Sequence, residues 1–101
     1  MLKLKNIAFM AVYCAAFTIG SVSYADTADT YQKSCAACHD SGALNAPKKG
    51  DKATWDKLKA QKGMEILIKN TRQGMPRMPA MGLCQTCSND DFAQLIEYMQ
   101  K

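Results

Sequence analysis

Two cysteines spaced by two residues and followed at once by a histidine, Cys35-Ala36-Ala37-Cys38-His39, constrain this chain more than any other feature of it. Thiols at that spacing reach the two vinyl groups on one edge of a porphyrin, and the adjacent imidazole then lies beneath the ring within reach of iron. The segment therefore reads as the attachment site of one covalently bound c-type haem. A thioredoxin-like redox pair needs a surrounding βαβ pattern, and no run of alternating polarity is present. A zinc site joining this pair to Cys84 and Cys87 would have to bridge 45 intervening residues, far beyond the ~15–20 of a zinc ribbon. Neither alternative gives His39 a role.

The N-terminus supplies a second, independent signal. Lys3 and Lys5 precede an apolar run from Ile7 to Gly20, and a small-residue exit follows at Ser23-Tyr24-Ala25. This predicts a secretory signal peptide over residues 1–25, cleaved after Ala25, with one domain over 26–101. The apolar run is short for a membrane span of ~20 residues. Export fits covalent haem attachment, which in bacteria takes place outside the cytoplasm, so the expected location is the periplasm. Removing residues 1–25 from the 101 takes away Lys3, Lys5 and Cys14 but no acid, so the formal charge falls from +4 to +2. Four cysteines remain. A domain this small buries barely enough apolar surface to offset chain entropy, so something besides side chains is expected to complete its core.

Helical periods dominate what is left. Phe92, Leu95, Ile96 and Met99 form one apolar stripe on a C-terminal helix, which Ser88 and Asp91 open as a capping box. A second helix is predicted from Met64 to Arg72, with Met64, Leu67 and Ile68 on one face and Gly74 as its cap. Ala28, Tyr31 and Cys35 mark a third, and Thr54–Ala60 a short fourth containing Trp55. The turn-rich stretch between His39 and Ala53 reads as a compact loop wrapped over something. The fold class is thus all-α, about four helices packed around one haem.

His39 is the sole histidine, so bis-histidine ligation within one chain is excluded and the sixth ligand is methionine, lysine, water or nothing. Soft thioether sulfur suits the other side of haem iron and raises its reduction potential. The segment Met75-Pro76-Arg77-Met78-Pro79-Ala80-Met81-Gly82 offers three methionines on a proline-stiffened loop. Cys84 and Cys87 lack a following histidine and attach no second haem.

The chain resembles the class I c-type cytochromes, and among them the small bacterial cytochrome c-five type. The likeness lies in Tyr31 through His39, in Ala46-Pro47-Lys48 with Gly50-Asp51-Lys52, in Trp55, and in Met78-Pro79-Ala80-Met81-Gly82-Leu83-Cys84 running into Cys87-Ser88. That family's register selects Met78 as the distal ligand, opposite His39. Ala80 and Met81 depart from the family pattern, so Met75 and Met81 remain alternatives. The resemblance further implies a disulfide between Cys84 and Cys87, and a Pro47 carbonyl facing the far nitrogen of His39. Trp55 would either donate to a haem propionate or serve as plain core. Leu58 stands where the family often places an arginine; Lys57 or Lys59 would then take over its propionate contact.

The expected function is that of a monohaem electron carrier rather than an enzyme. His39 and Met78 would hold the iron while single electrons pass between periplasmic donor and acceptor proteins in transient, weak contacts. The alternative is a haem c subunit held tightly in a larger periplasmic oxidoreductase. A weak homodimer across the exposed haem edge stays open. Nucleic acid is excluded as a partner, since no basic stripe with interleaved aromatics occurs and the chain is read as exported.

Overall fold

Local signals and packing agree most closely in the C-terminal helix. In the computed structural model, which describes residues 24–101, the Ser88 hydroxyl accepts a hydrogen bond from the Asp91 N–H at 3.1 Å. The Asp91 carboxylate accepts one in return from the Ser88 N–H at 2.9 Å. This reciprocal cap satisfies donors that a helix start leaves without partners and opens α5, Asn89–Gln100. Phe92, Leu95, Ile96 and Met99 are all buried, so the stripe read from the sequence is the face that meets the core.

The N-terminal helix α1, Tyr24–Ser34, crosses α5. Tyr31 is fully buried there, with its ring centroid 5.2 Å from that of Tyr98. Its hydroxyl bonds the carboxylate of Asp40. Burial first, and that bond second, push the Tyr31 pKa far above the ordinary phenol range. The expected leader over residues 1–25 lies outside the described residues, apart from Tyr24 and Ala25 at the start of α1.

One turn of helix, α2 (Ala36–His39), follows α1 directly and carries the second thiol and the histidine. Beyond it a single 3₁₀ turn over Ala43–Asn45 begins the long loop. That loop ends at α3, Lys52–Lys62, where Asp51 caps the helix by accepting from the Thr54 N–H at 3.2 Å and the Thr54 hydroxyl at 2.7 Å. The helix is longer at both ends than the predicted Thr54–Ala60. Its start is set by a cap that the weak apolar pattern did not reveal.

Gly63, at φ +79°, turns the chain directly into α4, Met64–Gln73. Leu67 faces the core, with Met64 and Ile68 packed beside it. Gly74 ends the helix at φ +82°, where a Cβ would stand 2.8 Å from the Ala80 backbone nitrogen. Only glycine fits so close a backbone approach. The Met75–Met81 loop then folds back on α4, and a 3₁₀ turn over Ala80–Leu83 leads into Cys84. Among the described residues no strand forms beyond a single bridge between Met75 and Met78. The protein is all-α, with its helices arranged around one cavity.

Candidate cofactor site

The cavity lies between the turn that carries His39 and the loop that carries Met78, with a volume of about 470 Å³. That is within the range of sites that enclose a small organic cofactor. Cys35, Cys38 and His39 line it together with Met75 and Met78. The lining is mostly apolar and includes Trp55, Leu58, Leu67, Ile96 and Met99.

His39 is buried and its orientation is fixed. Nδ1 donates to the carbonyl oxygen of Pro47 at 2.7 Å. A proton held on Nδ1 leaves Nε2 as the ring's lone-pair nitrogen, the form in which imidazole binds a metal. Neighbouring backbone groups hold Pro47 in place. The Trp55 indole N–H donates to the Lys48 carbonyl at 2.9 Å, the Lys49 N–H to the His39 carbonyl at 2.8 Å, and the Gly50 N–H to the Met99 carbonyl at 2.8 Å. Four consecutive residues, 47 through 50, are each tied to a different group, so the support under the imidazole is stiff.

Of the two roles considered for Trp55, propionate donor or core, the structure shows a buried ring whose N–H donates to the Lys48 carbonyl. Trp55 is buried, its ring centroid 5.8 Å from that of His39, and it acts on the histidine through the loop. Lys57 and Lys59, considered for a propionate contact, do not line the cavity; its two cationic groups are Lys62 and Arg77. The sequence holds the sign that places Lys62 there. Trp55, Leu58 and Lys62 recur at i, i+3 and i+7 along α3, and all three face the cavity.

Elsewhere on the lining, Met75 and Met78 pair across a two-residue turn. The Met75 N–H donates to the Met78 carbonyl at 2.9 Å and the Met78 N–H to the Met75 carbonyl at 3.0 Å. The Met78 methyl group lies against buried Gly82, 3.1 Å from where a Cβ would stand. Met81 does not line the cavity; it packs against the core. The three methionines thus differ in place: Met81 packs against the core, Met75 lines the cavity but is 44% exposed, and Met78 lines it and is half-buried.

Cys84 and Cys87 form a disulfide that links this loop to the start of α5. Cys35 and Cys38 are free thiols, and burial pushes the Cys35 pKa up to about 11. The donor set fits a c-type haem: two free thiols beside an oriented imidazole, a thioether lining the same apolar cavity, and cations on the lining.

Comparison with known proteins places the chain among similar molecules. A family described as cytochrome c oxidase, cbb3-type, subunit III matches residues 23–99. Cytochrome c5 of Azotobacter vinelandii is 40% identical over 72 residues, covering 70% of this chain and 87% of that protein. Cytochrome c5 of Ectopseudomonas mendocina is 38% identical, with 70% and 83% covered. Among solved structures, a mono-haem ferrocytochrome c from Shewanella putrefaciens superposes with a TM-score of 0.66 at 33% identity, covering 74% of this chain and 91% of that one. A chain from the electron transfer complex of nitrite reductase with cytochrome c gives 0.64 at 32% identity, covering 73% and 89%.

Proposed function

The chain belongs to the small class I c-type cytochromes and is similar to cytochrome c5, and from that premise we propose that it is a periplasmic single-electron shuttle with His39 and Met78 as axial ligands. It carries a covalently bound c-type haem, which supplies reversible one-electron Fe(III)/Fe(II) chemistry. The observation that carries the ligand assignment is that one cavity is lined both by an imidazole with Nδ1 occupied and by a thioether pressed against Gly82.

The chain's own residues do three things in this reading. Cys35 and Cys38 fix the cofactor's edge to α2 by thioether bonds. Pro47 keeps the Nδ1 proton in place, so that His39 presents Nε2 without tautomeric or rotational freedom. The apolar floor of Leu58, Leu67 and Ile96 keeps water from the site, which favours the less charged ferrous state. Ligands that do not move between oxidation states keep the reorganisation of the protein small. Two protein ligands leave no coordination position for a substrate, in keeping with a carrier rather than an enzyme.

Docking is transient in this proposal, through a small interface at the cavity mouth. The structural neighbour from the complex with nitrite reductase supports that mode of use. A second reading, a haem subunit held in a larger oxidoreductase, is favoured by the family match to an oxidase subunit. Elution as a lone small protein at salt that screens surface charge would refute that second reading.

The ligand test is Met78→Ala in the haem-loaded protein. The weak sulfur-to-iron absorption band should disappear, the reduction potential fall, and carbon monoxide bind rapidly to the reduced form. Met75→Ala should leave all three as in the unmodified protein. Retention of the band in Met78→Ala would show that Met78 is not the ligand.

A further inference from the structure

Four residues other than glycine adopt positive φ among the described residues: Leu44 (+53°), Asn45 (+67°), Met81 (+66°) and Leu83 (+65°). They are confined to the two 3₁₀ turns that border the cavity, Ala43–Asn45 on the histidine side and Ala80–Leu83 on the methionine side. Asparagine tolerates this backbone; leucine does so only with strain, because its Cβ crowds the following carbonyl. Glycine occupies adjoining positions with positive φ in both turns, Gly42 and Gly82, yet leucine is kept at 44 and 83.

Packing within the chain does not repay that strain. Leu44 is 66% exposed and Leu83 57%, the two most exposed large apolar side chains among the described residues. Backbone hydrogen bonds, Asn45 N–H to Gly42 carbonyl and Cys84 N–H to Met81 carbonyl, would form equally well with glycine at 44 and 83. What the two leucines share is the cavity: both line it, one from the turn that follows His39 and one from the turn that follows Met78. Strained residues persist where surrounding structure or a ligand holds them, and they gather at ligand clamps.

We infer that Leu44 and Leu83 are a pair of jaws that close over the rim of the bound haem from its histidine and methionine sides, and that they set how far water reaches it. The inference rests on the assignment of the cavity to haem, not on which sulfur binds the iron. Each jaw follows a ligand-bearing segment, so the same turns that seat His39 and Met78 deliver the cover. Removing a jaw admits water, which stabilises the more highly charged ferric state and lowers the potential.

The test uses the haem-loaded protein with Leu44→Gly, Leu83→Gly, the double variant, and Ile66→Ala as an exposed apolar control on α4, outside the cavity. Glycine relaxes the backbone while removing the cover, so strain relief and loss of shielding act on different readouts. The expected result is a lower midpoint potential in each glycine variant and a larger drop in the double variant. Leu83→Met should restore the potential, and Ile66→Ala should not change it. Melting temperatures that shift while both glycine variants keep the original potential would overturn the inference. Leu44→Gly lies on the histidine side, so it keeps the proposal refutable even if Leu83→Gly disturbs the methionine loop. Loss of the sulfur-to-iron band with an unchanged potential in Leu44→Gly would likewise count against it.

Discussion

Trp55 illustrates how a single side chain can matter to a site without touching its reacting atoms. Its indole N–H holds the Lys48 carbonyl, and the preceding residue, Pro47, holds the His39 ring. Replacing Trp55 with Phe removes one hydrogen bond of this relay and a little buried area, a loss of about 1–2 kcal/mol. Denaturant midpoints should fall accordingly while the reduction potential and its pH dependence stay close to those of the unmodified protein. A changed pH dependence of the potential would instead place the indole on a carboxylate of the cofactor. The partner of Trp55 was not legible in the sequence, because a long-range donor finds whichever carbonyl the folded loop brings to it. The histidine was legible, since its chemistry is set by immediate neighbours in the chain.

Among the helices, legibility followed amphipathicity. The stripe of α5 and the Leu67 face of α4 could be read from spacing alone, because their apolar residues all face one interior. Helix α3 has only Trp55 and Leu58 as strong apolar markers, so its ends depended on caps instead. Its start makes a specific prediction about acid. Hydrogen bonds from the Thr54 hydroxyl and then the Thr54 N–H hold the Asp51 carboxyl below the usual carboxylate range. A carboxyl lowered in the folded state contributes stability that is present above its unfolded pKa of about 4 and is lost as pH falls through the folded value. Asp51→Asn keeps a good helix cap but does not titrate. Melting temperatures of the variant and the original chain should be similar near neutral pH, with a shallower decline for the variant below about pH 4. An unchanged acid limb would show that the Asp51 cap does not contribute to it.

For the molecule as a whole, the cavity explains why so small a chain needs its cofactor. Every helix supplies lining residues, α1 only through its last residue, Ser34. Leaving some 470 Å³ between them unfilled would cost at most on the order of 10 kcal/mol, comparable to the entire stability of a domain. The double variant Cys35→Ala/Cys38→Ala, which cannot form the thioether bonds, should therefore lack a cooperative thermal transition. A sharp transition at the temperature of the attached protein would refute this. The exposed jaws at Leu44 and Leu83 could not have been found from sequence, since apolar residues in turn-rich segments give no periodic signal.

One feature of the layout bears on how the polypeptide tolerates cutting. His39 precedes the Gly63 corner and Met78 follows it, while α1 crosses α5 over the same divide. A backbone severed at Gly63 should thus remain a single particle, the leading fragment with its fused pigment gripping the trailing one through sulfur and interlocked ends. Co-elution of the two pieces in native buffer, and their separation in denaturant, is the outcome to look for. The iron would then serve as the rivet between two strips of chain that each lack a fold alone.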